Sequence, residues 1–143
     1  MAILDAKLSL SDAQALSATD RSEGQLDLGA ANLQIGAGTP LYLNIRVNAV
    51  GTGSGTGNAW TIGLYTHDAS MSEATGSEIV RFITTVAGEE LTAGLWIYRG
   101  SIPLEVLQQF VALRYTETGT ATATIDAWIS LDAQSSFGIS AEI

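Results

Sequence analysis

His67 is the only histidine of this 143-residue chain, and it stands beside Asp68. A Ser–His–Asp relay would have to run through it, with a serine held against the ring. No G-x-S-x-G elbow occurs in the sequence to supply one. The ordinary reading of His67 is a solvent-facing histidine at a strand end. Two carboxylate pairs invite comparison with glycoside hydrolysis, Glu89 with Glu90 and Asp126 with Asp132. That reaction needs carboxyls about 5–10 Å apart, one of them desolvated so that it keeps its proton. Glu89 and Glu90 sit in a polar loop, and Asp126 and Asp132 share one strand face, about 20 Å apart at the usual rise per residue. Neither pair suits the chemistry. No catalytic residue is expected, and the chain is not expected to be an enzyme.

Other sites fare no better. There is no cysteine, which excludes disulfides, thiolate nucleophiles and Cys-based zinc or iron–sulfur centres. The run Gly51-Thr52-Gly53-Ser54-Gly55-Thr56-Gly57-Asn58 lacks the GK[ST] of a phosphate-cradling loop and reads as a flexible connection between strands. Calcium would require clustered loop oxygens, yet no D-x-D-x-D-G loop is present and the acids are dispersed. No metal and no cofactor is expected. The aromatics Trp60, Trp96, Trp128, Tyr42, Tyr65 and Tyr98 could form a sugar-stacking platform, which keeps a carbohydrate-binding module as the alternative function. Aromatics on strands more often serve core or interface.

The formal charge is −9, fifteen acids against six cations. Arg21, Arg46, Arg81, Arg99 and Arg114 are scattered one per segment, so no cationic face for phosphates is expected, and neither nucleic acid nor an anionic membrane is an expected partner. The acidity reads as solubility. No stretch approaches the ~20 apolar residues of a membrane span. The start, Met1-Ala2-Ile3-Leu4-Asp5-Ala6-Lys7, does not read as a signal peptide, so synthesis in the cytoplasm is expected.

The elements that would position all these residues are strands. From Leu41 to Val47 the chain alternates strictly, with Leu41, Leu43, Ile45 and Val47 on one side and Tyr42, Asn44 and Arg46 on the other. The rhythm returns in Ile125, Ala127, Ile129 and Leu131. Further strands are expected at 7–10, 25–28, 60–66, 78–86, 95–102, 110–116 and 121–131. Residues 11–16 read as one helical turn or as extended chain, 68–74 as a short helix or loop, and 103–107 as a helical turn opened by Pro103. Ala87–Gly94 reads as a connection too polar for core, and Glu117-Thr118-Gly119-Thr120 as a hairpin turn. About eight short strands with turn signals between them predict an all-β, antiparallel two-sheet sandwich, best fitted by a jelly roll. One domain over 1–143 is expected, with extended arms at 1–10 and 135–143. Both arms are apolar where chain ends are ordinarily polar, which points to docking on the parent domain or on a neighbour.

Several pieces in the same order carry a family resemblance. They are Leu4-Asp5-Ala6, Ser11-Asp12-Ala13-Gln14-Ala15, Leu26-Asp27-Leu28-Gly29-Ala30 and Gly38-Thr39-Pro40-Leu41-Tyr42-Leu43. Later come Gly119-Thr120-Ala121-Thr122 and Ile125-Asp126-Ala127-Trp128-Ile129-Ser130-Leu131-Asp132. On these the chain resembles the small cement, or decoration, proteins of tailed-bacteriophage capsids, of the Bordetella short-tailed-phage type. The resemblance implies a jelly-roll virion subunit on the outer face of an HK97-type shell, stabilising the capsid by bridging neighbouring capsomers. The implied partners are the major capsid protein and a second copy of the chain, a homodimer favoured over a trimer. Candidate capsid or subunit contacts are Ile3, Leu4 and Leu8 in the first arm, Phe137, Ile139 and Ile143 in the last, and Tyr42 and Arg46 on the outer row of the clean strand.

Overall fold

The computed structural model describes residues 9–27, 41–72, 75–102 and 108–130. They form β1 (Ser9–Leu16), β2 (Asp20–Arg21), β3 (Leu26–Asp27), β4 (Tyr42–Thr52), β5 (Ala59–His67), β6 (Ser77–Ala87), β7 (Trp96–Ser101), β8 (Phe110–Thr118) and β9 (Thr122–Ser130). One sheet has the order β1-β9-β4-β7 and the other β2-β8-β5-β6, with β3 also paired to β8, all antiparallel. β2 and β3 lie along the same neighbour, opposite Tyr115–Arg114 and Val111–Phe110 respectively. Between them Ser22 bridges to Leu113 through both its N–H and its hydroxyl. They amount to one interrupted strand, which leaves the eight-stranded path of a jelly roll. The expected all-β sandwich is the observed fold.

The core lies between the inner faces, where alternation places it. Leu43, Ile45 and Val47 of β4 meet Ala123, Ile125, Ala127 and Ile129 of β9 in one wall. Trp60, Ile62 and Leu64 of β5 with Val111, Leu113 and Tyr115 of β8 make the other. Tyr115 reaches across the sandwich, its hydroxyl 2.7 Å from Ser11 Oγ on β1. One side of the sandwich is closed by Phe82 of β6 stacked on Tyr98 of β7, ring centroids 4.4 Å apart.

Several expectations about the connections change. Residues 11–16 are extended and belong to β1, because β9 offers that stretch a partner. The 87–94 connection carries a 3-10 turn at Gly88–Glu90, and Leu91, 1% exposed, joins the core. A polar segment can cap a sandwich end and still lend it one apolar side chain. Glu117–Thr120 is no hairpin turn, since β8 and β9 belong to different sheets and it carries the chain across the sandwich. Among the described residues there is no α-helix, and 68–72 is loop. The turn expected at 103–107, residues 73–74, residues 1–8 of the first arm and all of the second lie outside the described residues, while Ser9 and Leu10 of the first arm belong to β1.

Candidate functional site

The outer face of the β1-β9-β4-β7 sheet is where sequence and geometry concentrate unusual side chains. On β4 the outward row is Tyr42, Asn44 and Arg46, as the alternation predicts. The register sets Arg46 between Trp96 of β7 and Asp126 of β9, and Asn44 between Arg99 and Trp128. Trp96 and Arg99 are three residues apart and would ordinarily point to opposite faces of a strand. A β-bulge intervenes: Ile45 pairs with Tyr98 and Arg46 with Trp96, so Ile97 is the extra residue. A bulge shifts the alternation by one and re-aims the side chains beyond it. Trp96 thereby joins Arg99 on the outer face, while Ile97 and Tyr98 pack against the core.

Arg99 Cζ lies 4.6 Å and Arg46 Cζ 5.8 Å from the centre of the Trp96 ring, both within cation–π range. Trp128 meets Trp96 edge-on, centroids 5.8 Å apart. Both arginines are exposed and both tryptophans half-buried. Neither guanidinium makes a hydrogen bond or ion pair with any described residue. Asp126, the obvious partner of Arg46, is engaged elsewhere. Its Oδ1 accepts the Ala13 N–H at 2.7 Å and its Oδ2 accepts Asn48 Nδ2 at 2.9 Å. Ala13 sits at φ +49°, a left-handed conformation at a bulged stretch of β1 that aims its N–H at this carboxylate.

Beside this patch lies an open depression of about 650 Å³, bordered by Asp12, Glu23, Arg46, Asn48, Asp126 and Trp128. Glu23 accepts the Asp12 N–H at 2.7 Å, and Gln14 Oε1 accepts from Ser11 Oγ and from the Glu23 N–H. The face is thus divided, acidic toward β1 and cationic toward β7. Among the described residues no group of three or more His, Asp or Glu side chains is placed to hold a metal ion. No helix among them is long and apolar enough to cross a membrane.

The residues singled out by sequence have mixed fates. Arg46 is exposed at the centre of the patch, and Tyr42 is half-buried at the end of the same face, between Ser101 and Ser130. Asn44, in the same outer row, is fully buried and not available for contact. Its Nδ2 donates to Ser130 Oγ at 3.1 Å, and its Oδ1 has no donor among the described residues. The six aromatics do not form one platform. Trp60 is core, Tyr98 closes the sandwich edge, and Tyr65 lies on the opposite sheet under Arg114. Only Trp96 and Trp128 meet. His67 is half-buried at the end of β5, its Nδ1 accepting the Ala69 N–H at 3.0 Å and lying 3.5 Å from Asp68. Ile3, Leu4, Leu8, Phe137, Ile139 and Ile143 lie outside the described residues, as does Asp132. Sequence reasoning named Arg46 but missed its partnership with Trp96, Arg99 and Trp128, because the bulge that assembles it leaves no periodic signal.

The place where the arms join the sheet is described. β1 begins at Ser9, opposite Trp128, and β9 ends at Ser130, opposite Tyr42. Segments 1–8 and 131–143 therefore attach to adjacent strands at the same end of the sheet that carries the patch.

No curated protein matches the chain. Residues 10–129, most of its length, match the family model Bbp16, a Bordetella phage protein family. The chain belongs to the Bbp16 family.

Proposed function

We propose that this phage-family protein is a structural virion component that binds the outer surface of an HK97-type capsid and cements neighbouring capsomers. The observation that carries the reading is membership of a phage protein family by a jelly-roll sandwich. The attachment of both apolar arms at one end of one sheet supports it further. Two arms rooted side by side can reach a neighbouring subunit together.

The mechanism is stabilisation by binding, not catalysis. A ligand that binds the assembled shell but not loose subunits shifts the equilibrium toward the shell. Each attachment can be weak, because a homodimer that bridges two capsomers makes its second contact at high effective concentration. The major capsid protein and a second copy of the chain are the partners, and neither nucleic acid nor membrane is one. The net charge of −9 suits a subunit that stays on the outside, away from the packaged genome.

Heating mature capsids stripped of the protein, with and without adding it back, tests this reading. The protein should raise the disruption temperature in a saturable way. A variant lacking 1–8 and 131–143 should bind at least tenfold more weakly. No co-sedimentation of the intact chain with capsids, and no change in their disruption temperature, would refute the reading.

A further inference from the structure

Two of the six cations of this acidic chain, Arg46 and Arg99, flank the same indole and reach no carboxylate among the described residues. The nearest registered acid, Asp126, has both oxygens occupied by Ala13 and Asn48. A guanidinium held near an aromatic ring by cation–π attraction spends no N–H group on it, and those N–H groups form the fork that matches a carboxylate. The ring also holds each side chain in place, so little rotamer freedom remains to be lost on binding. Trp and Arg side by side are the residues that most often dominate a protein–protein contact.

We infer that the Arg46–Trp96–Arg99–Trp128 patch is the docking surface for a protein surface that presents carboxylates, namely the outer face of the capsid shell. This assignment rests on the capsid-binding reading above. Charge complementarity names the occupant. Two guanidinia with no carboxylate among the described residues call for anionic groups, while the net charge of −9 and the acids bordering the neighbouring depression oppose a polyphosphate. Asp12 and Glu23 close off the β1 side of the face, so the partner's carboxylates approach over β4 and β7. The patch supplies orientation and on-rate, and the arms supply apolar area.

The test is co-sedimentation of the full chain with mature capsids stripped of the protein, at 50 and 300 mM salt. Wild type should bind more weakly at the higher salt. Arg46→Glu with Arg99→Glu should weaken binding about 100-fold or more, and Arg46→Lys with Arg99→Lys, which keep charge but lose the stacked fork, about tenfold. Arg81→Glu on the opposite sheet should bind as wild type does. If the double reversal does not fold, as judged by its strand circular dichroism, Arg46→Gln with Arg99→Gln carries the same test. Equal binding by wild type and the charge-altered variants would overturn the inference and leave the capsid reading standing. Loss of self-association with capsid binding intact would assign the patch to a second copy and also overturn it. Failure of wild type to bind capsids would remove the reading and this inference with it. Tighter binding to single-stranded nucleic acid than to capsids would overturn the choice of a protein partner.

Discussion

The two sheets turn very different faces outward. On the β2-β8-β5-β6 sheet Arg81 and Arg114 find oxygen, while Arg21 Nη1, Arg114 Nε and Glu117 Oε2 are buried with no hydrogen-bond partner among the described residues. Arg81 Nε donates to Glu78 at 3.0 Å, the Tyr65 hydroxyl donates to the same carboxylate, and Arg114 lies over the Tyr65 ring and donates to the Thr75 carbonyl. The Glu78 pairing also holds the Arg81 guanidinium more firmly protonated than an isolated one. On the β1-β9-β4-β7 sheet, Arg46 and Arg99 have, among the described residues, only the ring of Trp96. Both faces rest on a common core and follow the same alternation. What separates them is where the cations find oxygen. The exposed guanidinium of Arg81 is answered by a carboxylate of its own face, whereas those of Arg46 and Arg99 meet none among the described residues.

The comparison requires first that the core beneath both faces be equivalent. Ile45→Ala under one face and Leu113→Ala under the other should each lower unfolding stability by about 2–5 kcal/mol in denaturant melts, since both side chains are fully buried. A marked inequality would mean that one sheet is only loosely docked on the other.

Next comes the link between the sheets. Burial raises the pKa of Tyr115 above its ordinary value of 10, with the Ser11 hydrogen bond working the other way. In the unfolded chain this tyrosine ionises near pH 10, so its contribution is intact below that pH and is lost as pH rises above it. Wild type should therefore lose stability faster than Tyr115→Phe in melts between pH 10 and 12. At neutral pH the Phe variant should cost about 1 kcal/mol for the lost bond to Ser11.

Smaller effects separate the faces themselves. Glu78→Ala should lower the melting temperature slightly, less than Tyr115→Phe does, because the pair it breaks is solvent-exposed. Arg46→Ala with Arg99→Ala should leave stability within about 0.5 kcal/mol of wild type, as for surface positions that meet no oxygen among the described residues. If the double Arg variant melted well below Glu78→Ala, the guanidinia would be structural and the contrast between the faces would collapse.

Much of this arrangement is readable in the chain. Leu41 to Val47 and Ala123 to Ile129 have period-2 alternation, and register in a half-buried sheet leaves such segments only one way to face. Arg46 could therefore be placed on the outside from sequence alone. Asn44 shows the limit, because an outward position can be covered by large neighbours on adjacent strands, here Arg99 and Trp128. Trp96 shows another: the Ile97 bulge breaks the period, so no pattern in Trp96–Ser101 reveals which residues share a face. Glu117–Thr120 looked like a hairpin because turn chemistry is local, and it does not say which sheet receives the next strand. The polar stretch Ser11–Leu16 is a strand only because β9 lies beside it, which is long-range information.

Cementing requires that the protein prefer the assembled shell to its parts, because a ligand that binds both equally shifts nothing. Binding of one labelled preparation should be measured against intact mature capsids and against dissociated capsid subunits in the same buffer. Binding to intact capsids should be saturable and at least 100-fold tighter than to free subunits. Equal affinity for the two, or no binding to the intact shell, would contradict cementing.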